Sequence, residues 1–569
     1  MDFDLTRVPF SRYGSYLAFS VLPALPTRPQ GLYLRTVHGG AAVREIARVE
    51  VIRNGRRVPY AIRASPACLR LEAESGLVEI CIPQADQVRL RTRGVGLRLV
   101  FSPESYDCAF PAYQDAWQVI SWTCSINLAL ESIKGGWQVD APFPTVKAES
   151  MTADLLPTAG EEGCEGAIIE FGSAWSPQPN PSDFDECIRS VEKDFQGWLE
   201  RTPALPPEYN EARQLAAYVN WSGVVSPSGH LKRPSMFMSK NWMTNVWSWD
   251  HCFNALSLVY HAPEQAWDQL MVMFDCQDQQ GALPDSANDA CLVWSFCKPP
   301  VHGWTLLRML ERTDWITPAH LDQLYGPLQR WTNWWLRTRD YDGDGIPQYH
   351  HGNDSGWDNC TAFEAGLPLE SPDLSAFLVI QMDALAEVAS RLHIENEAQG
   401  WKHKSQELLH KMLVHFWRGD HFIVTQSGLH KDYWSDSLFY YLPILLGKRL
   451  PVEIQRSLVA GLKNSGLITK YGLATENPSS PRYEADGYWR GPIWAPSSML
   501  IVEGLAAMGE VELASKISRK FCDMAARSGM AENFDALTGQ GLRDLAYTWT
   551  SSVFLLLGNE RLSTGAPEN

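Results

Sequence analysis

The 569-residue chain has no CxxC pair and no Cys/His cluster with zinc-ligand spacing, although twelve cysteines are scattered from Cys68 to Cys522. Thiols without such spacing read as reduced, mostly small core residues of a cytoplasmic protein rather than as a disulfide or zinc framework. Positive charge is scarce: 49 Lys and Arg face 66 Asp and Glu, a net charge of −17. That balance argues against a nucleic-acid partner, which needs a basic face to release counterions. No apolar run approaches the ~18–20 residues of a membrane span, so no membrane partner is expected. Asp2 and Asp4 stand where a secretion signal carries positive charge, and no signal peptide is expected. No repeated period is present, which argues against an open helical solenoid. Oligomeric state leaves no trace in the sequence.

What is there points to a large folded chain. With 45% hydrophobic and 20% charged residues it can bury a sizeable core. It also carries 23 Trp. Tryptophan faces stack on the C–H surfaces of sugar rings, although a large helical core can also use many of them.

Two textures divide the chain. Residues 1–175 hold short apolar runs broken by Gly, Pro and Asn, among them VEVIRNGRRVPYAI (49–62) with a hairpin turn at Asn54-Gly55. This pattern predicts an antiparallel β-sandwich. A linker spans 176–204, a Pro-rich joint SPQPNPSD (176–183) followed by an amphipathic helix over 184–201. From 205 to 560 helical periodicity takes over, with helices predicted at 206–222, 249–261, 263–279, 300–312, 317–339, 372–393, 396–417, 434–446, 451–464, 491–508, 510–528 and 545–558. Twelve helices in six pairs is the count of an (α/α)6 barrel, so the fold class is mainly α behind an N-terminal β domain. Several connections are longer than structureless loops usually are, and long loops in compact domains tend to carry function.

The richest loop is RDYDGDGIPQYHHGNDSGWDNCTAF (339–363). Asp340, Asp342 and Asp344 alternate before Gly345, the spacing of the first half of a calcium loop, with the Ile346 carbonyl as a further ligand. His351 stands where an EF-hand needs a bidentate Glu, so the loop is either a site for one structural Ca2+ or a solvated acidic turn. Farther on, Asp358 follows Trp357. A carboxyl on an aromatic wall loses hydration and holds its proton, as a general acid requires, though Asp358 can also simply cap the segment after it. Glu532 lies between the eleventh and twelfth predicted helices and Asp358 between the fifth and sixth. In a closed barrel both loops open at one end, and carboxyls ~6.5–9.5 Å apart suit hydrolysis with inversion.

Three segments supply walls. VWSWDHCF (246–253) offers Trp249 and Asp250, the latter a helix cap or a grip on sugar hydroxyls. YWRGPIW (488–494) offers Trp489, Arg490 and Trp494, with Arg490 open to a structural ion pair. FCKPPVHGW (296–304) brings Lys298 and His302 around paired prolines, which can also just set the direction of a helix.

Together these segments resemble glycoside hydrolase family 63, the processing α-glucosidase family, in the clan that includes the family 37 trehalases. The matching pieces run in order: WSWDHCF, GALPD (281–285), KPPVHGW, DYDGDGIP, SGWDN (355–359), SPDLSA (371–376), YWRGPIW, ENFDALTG (532–539) and YTWTS (547–551). The resemblance implies an inverting α-glycosidase on an (α/α)6 barrel, with Asp358 as acid and Glu532 as base. It places Trp249, Asp250, Trp489 and Arg490 at the sugar. Some members hold calcium near the acidic loop; no cofactor is needed for the chemistry. The chain departs from the family at HHGND (350–354), where relatives commonly have an ESG-like run, and at Lys298, where Gln is common. Both put the sugar and aglycone in question more than the reaction. The expected activity is α-glucoside hydrolysis on a carbohydrate substrate. The alternative within the class is hydrolysis of mannosylglycerate or glucosylglycerate, whose carboxylate would suit Arg490 or Lys298. A compact chain without the β region would suit that alternative better. A non-catalytic carbohydrate-binding protein would not need both Asp358 and Glu532, and the Tyr/His pair of a polysaccharide lyase cannot be assembled.

Overall fold

Alternation of apolar and polar residues makes strands of the N-terminal texture, because successive side chains in a strand point to opposite faces. The computed structural model describes residues 1–40, 43–177 and 181–563, so residues 178–180 of the expected joint lie outside the described residues. One sheet has the order β1 (Leu17–Leu22), β2 (Gly31–Thr36), β3 (Arg44–Arg53), β9 (Gly96–Phe101), β14 (Met151–Leu156) and β13 (Gly136–Asp140), with β4 (Arg56–Arg57) also on β3. The other runs β10 (Cys108–Pro111), β11 (Trp117–Ser121), β12 (Ile126–Lys134), β15 (Gly163–Phe171), β8 (Gln87–Arg93), β7 (Gly76–Gln84), β6 (Leu69–Ala73) and β5 (Ala61–Ala64). Every pairing given for them is antiparallel. Asn54 and Gly55 both take positive φ between β3 and β4, the backbone a two-residue hairpin requires. Leu17, Phe19, Val49, Val51, Leu97 and Leu99 of the first sheet share one buried core with Leu71, Ile80, Leu90 and Leu130 of the second. This is the expected sandwich. The amphipathic helix follows as α1 (Phe184–Glu200), burying Phe184, Cys187, Val191, Phe195 and Trp198 along one stripe.

The chain clusters into two units that interleave in sequence. Residues 1–200 are joined by 217–226 and 239–244; the second unit takes 201–216, 227–238 and the rest from 245. The sharp change of texture near 205 is therefore not a clean cut.

The helices after α1 are α2 (Asn210–Gly223), α3 (Asp250–Leu258), α4 (Pro263–Met271), α5 (His302–Arg312), α6 (Pro318–Thr338), α7 (Pro372–Arg391) and α8 (Glu395–Phe416). A 3₁₀ segment (Leu438–Arg449), α9 (Val452–Asn464), α10 (Ala495–Met508), α11 (Val511–Ser528) and α12 (Thr548–Ser563) complete the second unit. Periodicity predicts an ordinary helix over 434–446, and the structure differs. Pro443 lacks the donor an α-turn needs, and Gly447 breaks the segment at φ 56°. The segment still takes its place in a ring: α3, α5, α7, the 3₁₀ segment, α10 and α12 each pack on the next, and α12 returns to α3. These inner elements are buried on nearly all sides, as α10 is from Ala495 to Val502. The even-numbered α4, α6 and α8, with α9 and α11, pack outside them, and α2, led by Tyr209 packed on Phe554 of α12, takes the sixth outer place of an (α/α)6 barrel. No helix among the described residues is long and apolar enough to cross a membrane.

Connections from inner to outer helices are two to five residues, as at 392–394 and 509–510, whereas those from outer to inner are long. Every long loop therefore opens at the end where the inner helices begin. The ring closes through a buried polar seam. Asn254 of α3 donates to Thr548 Oγ1 of α12 at 3.1 Å and accepts from Ser552 Oγ at 2.8 Å, while Ser257 Oγ donates to Ser552 Oγ at 3.1 Å. Asn254→Leu removes two bonds from this dry seam and should destabilise the barrel by about 1–3 kcal/mol. Urea unfolding followed by helical circular dichroism measures it, and an unchanged midpoint would show that the seam does not hold the ring.

Candidate active site

Strand pairs too short to predict tie the long loops in twos. Val246–Trp247 pairs with Ser286–Ala287, Gln348–Tyr349 with Leu369–Glu370 and through it with Val424–Gln426, and Ile493–Trp494 with Asn533–Phe534. Each pairing delivers a chemical group. Asp285 precedes the second strand and its carbonyl accepts from Ser248 N at 3.0 Å, two residues before Asp250. Glu532 precedes Asn533, and its N–H donates to the Asp544 carbonyl at 2.6 Å.

The Asp358 loop is held on both sides. Gly356 sits at φ 73°, and a Cβ there would lie 2.5 Å from the Trp249 ring, so only glycine lets the loop approach that wall. Trp357 packs on Trp489 with centroids 4.7 Å apart. Asn359 clamps the other side, donating to Gly487 O and accepting from Trp489 N, each at 3.0 Å. Asp358 thus stands between the Trp357 and Asn359 anchors, beside the YWRGPIW segment.

Lys298 lies beneath the carboxyls. It is 4% exposed, with Nζ 3.0 Å from Asp285 Oδ1 and donating to Asn353 O at 2.8 Å and to Asn353 Oδ1. Burial works against its charge, but Asp285, Asp358 and Asp250 outweigh it and raise its pKa. Held by Asn353 and ion-paired with Asp285, the buried Lys298 serves as a counter-charge to the carboxyls rather than as the sugar contact expected for it. Burial pushes Asp250 well above the ordinary carboxylate range, with Lys298 opposing and Asp285 and Asp358 adding. Asp358 is raised by burial too, against Lys298 and with Asp285. Glu532, 3% exposed, is pushed up to about 7 by burial, with Asp544 raising it, Arg543 lowering it and a hydrogen bond from Tyr488 also lowering it. The Tyr488 hydroxyl, raised first by burial, also feels Glu532, Asp358 and Asp250, so four acidic groups from four segments share one electrostatic environment. Tyr547 joins them, raised by burial and then by Glu532 and Asp250.

The tryptophans form a packed floor. Trp489 and Trp494 stack at 4.1 Å and 5°, Trp249 meets Trp489 at 6.2 Å, and Trp549 stands edge-on to Trp249 and Trp494. Arg490 does take the ion pair, with Nη2 3.1 Å from Glu364 Oε1, while its buried Nε has no hydrogen-bond partner. Arg543 lies with its guanidinium 4.8 Å from the Tyr488 ring centre. His302 is a correction. It is 1% exposed and packs in the barrel core between His251, Phe274 and Trp331, because it is the first residue of α5 and faces inward. Asp285, Asn359, Tyr488, Arg543 and Tyr547 were not singled out from the sequence, although four of the five fall inside the motif pieces quoted above.

In the acidic loop Asp340, Asp342 and Asp344 bring one carboxylate oxygen each within 4.8 Å of one another, fewer than the six to eight oxygens that calcium takes. Asp340 turns both oxygens to the loop itself, accepting from Gly343 N at 2.9 Å and Gly345 N at 3.0 Å. Asp342 Oδ2 accepts from Gly428 N and His430 Nε2, both at 2.8 Å. Lys411 donates to the Asp344 carbonyl at 3.2 Å, and Ile346 is buried with its N–H on Asp344 Oδ1 at 2.7 Å. Each of the three carboxylates thus accepts at least one hydrogen bond from the turn or the neighbouring hairpin.

Replacing Lys298 by Met leaves Asp285, Asp250 and Asp358 without their cation, which should cost about 3–5 kcal/mol of stability. Thermal unfolding at pH 8 checks it: an unchanged Tm would mean that these carboxyls are already protonated and need no counter-charge.

Residues 243–550 match the family described as the mannosylglycerate hydrolase MGH1-like glycoside hydrolase domain. Similar proteins include the glucosylglycerate hydrolase of Mycolicibacterium hassiacum, 24% identical over 62% of this chain and 98% of its own length. Another is the mannosylglycerate hydrolase MGH1 of Selaginella moellendorffii, 22% identical over 54% of this chain and 79% of its own. Among solved structures, the family 63 mannosylglycerate hydrolase of Thermus thermophilus superposes with a TM-score of 0.54 at 20% identity, covering 60% of this chain and 99% of that one. The matched segment contains Asp250, Asp285, Lys298, Asp358, Tyr488 and Glu532. The chain belongs to the MGH1-like domain family within glycoside hydrolase family 63 and is a glycoside hydrolase.

Proposed function

We propose that the chain hydrolyses an α-glycoside of glycerate, glucosylglycerate or mannosylglycerate, with inversion at the anomeric carbon. The observation that carries the reading is the pair of buried carboxyls, Asp358 and Glu532, whose proton affinity burial raises and which separate loops bring within reach of the Tyr488 hydroxyl's field. Asp358 gives its proton to the glycosidic oxygen as the C1–O bond breaks. Glu532 takes a proton from the water that attacks C1 from the other face, and Tyr488 orients that carboxylate. Asp250, deep beside Lys298, grips sugar hydroxyls above the tryptophan floor.

The sequence by itself favours a neutral α-glucoside. The named activities of the relatives favour the glycerate alternative, and so does Arg543 beside Tyr488, a guanidinium that a glycerate carboxylate could share with its partner Asp486. The β region, which weighs against this substrate, precedes the matched segment at 243–550 and does not bear on the pocket chemistry. The cysteines form no disulfide among the described residues, which suits action in a reducing cytoplasm.

Proton NMR on glucosylglycerate, mannosylglycerate and a panel of neutral α-linked disaccharides tests this. A glycerate glycoside should be cleaved with kcat/KM about tenfold or more above any neutral sugar, one charge-assisted contact being sufficient. The β-anomer should appear first, and Asp358→Asn should abolish turnover. Faster cleavage of a neutral disaccharide would restore the α-glucosidase reading, and an initial α-anomer would make Glu532 something other than a base.

The pH dependence follows from the same geometry. A base must be deprotonated, so kcat/KM should fall as pH drops through about 7, the value to which burial lifts Glu532. Arg543 lowers that pKa and Asp544 raises it, so Arg543→Gln should move the acid limb to higher pH and Asp544→Asn to lower pH. Limbs that stay in place in both variants would assign the titration to another group.

A further inference from the structure

Beside the acidic loop lies a cluster that the reaction does not use and that shares only Asp344 with the calcium spacing. Asp344, Glu370, His415 and His430 each offer one donor atom, and these atoms all fall within 4.8 Å of one another. Four separate segments supply them. Asp344 comes from the 340–346 turn, Glu370 from the strand Leu369–Glu370, His415 from the last turn of α8, and His430 from the turn between the strands Val424–Gln426 and Asp432–Tyr433. His430 adopts φ 47°, a left-handed conformation that aims its ring back over the sheet.

Glu370 makes the cluster more than a group of acidic residues. Its side chain is fully buried. Oε2 accepts from Thr425 Oγ1 at 2.9 Å and lies 2.8 Å from His415 Nε2, yet the equally buried Oε1 has no hydrogen-bond partner. A buried carboxylate oxygen without a partner is costly unless a cation meets it. That oxygen faces His430 Nε2 at 3.6 Å. Asp344 Oδ2 completes the set, 3.8 Å from His430 Nε2 and 3.7 Å from His415 Nδ1. Donors around a tetrahedral ion with bonds of about 2.0–2.1 Å sit roughly 3.3–3.4 Å from each other, so small side-chain shifts would close this cage.

We propose that Asp344, Glu370, His415 and His430 form a structural site for one divalent first-row transition ion, of which Zn2+ is representative. Two imidazole nitrogens with two carboxylate oxygens select such an ion over calcium or magnesium, which take oxygen. Two carboxylates match its charge. His415 keeps its second ring nitrogen on Glu370 Oε2, which fixes the ring as the outer bonds of metal-bound histidines do. Asp342 Oδ2, 2.8 Å from His430 Nε2, would exchange that hydrogen bond for a place at the rim when the nitrogen loses its proton to bind the ion. The ion would rivet the loop that runs on to Asp358 to α8 and to the 424–433 hairpin. The site stands on these residues alone and does not depend on which glycoside is cleaved.

The test uses the full chain after chelator treatment and dialysis, titrated calorimetrically with Zn2+, with Co2+ as a spectroscopic probe and Ca2+ as control. One Zn2+ per chain should bind with micromolar or tighter affinity, and Co2+ should give visible ligand-field bands. Zn2+ should raise Tm by several degrees, whereas Ca2+ should not. Glu370→Gln, which keeps the side chain's shape, and His430→Ala at the exposed hairpin should each weaken Zn2+ binding at least about tenfold, the size of an outer-ligand loss or more. Absence of Zn2+ binding to the stripped chain overturns the proposal. So does binding that both variants leave unchanged, which would mean a surface histidine elsewhere, or a preference for Ca2+, which would return the ion to the aspartate turn.

Discussion

Everything at the mouth of the barrel depends on one buried ammonium. Lys298 is surrounded by Asp285, Asp250 and Asp358, all carboxyls whose hydration has been removed. Without a cation, three such groups would repel one another or take up protons together, and the loops carrying them would move apart. With Lys298 in place, Asp250 and Asp358 can be packed against a tryptophan floor and still differ in how firmly they hold a proton. Glu532 lies outside this arrangement. Its balance is struck with Asp544, Arg543 and Tyr488, so the two proposed catalytic carboxyls are tuned by separate neighbours.

The barrel topology is what makes that tuning possible. Because inner-to-outer turns are short and outer-to-inner loops long, the chain returns to the same rim before each inner helix. Loose loops would not hold a carboxyl in place. Two-residue strand pairs and single side-chain clamps bind them to one another: Asn359 to the YWRGPIW segment, Ser248 N to the Asp285 carbonyl, Trp494 against Asn533. Rigid aromatic stacking below and hydrogen-bonded clamps above give the site its preorganisation.

The acidic turn shows how spacing alone can mislead. Alternate aspartates before a glycine are what a calcium loop needs locally, but a metal's preference is decided by all its donors. Here Asp340 is drawn into closing its own turn. Asp342 meets a hairpin more than eighty residues away, and Asp344 meets two histidines and a buried glutamate. No sequence spacing relates His415, His430 and Glu370.

The sequence by itself determined the architecture. The two-residue alternation of the first 175 residues, the helical periodicity after 205, the Asn54-Gly55 turn and the lengths of the loops are local properties, and each survives into the fold because the core rewards the same pattern. It also marked most of the residues that gather at the candidate site, since Asp358, Glu532, Asp250 and the tryptophans lie in short motifs whose composition carries their chemistry. Only the tertiary structure decided what long-range contacts set. Lys298 became a counter-ion rather than a sugar contact because Asp285 and Asn353 take its donors. His302 became core because the first turn of α5 faces His251. Burial, charge partners and proton affinity belong to neighbours far apart in the chain, and periodicity carries no record of them.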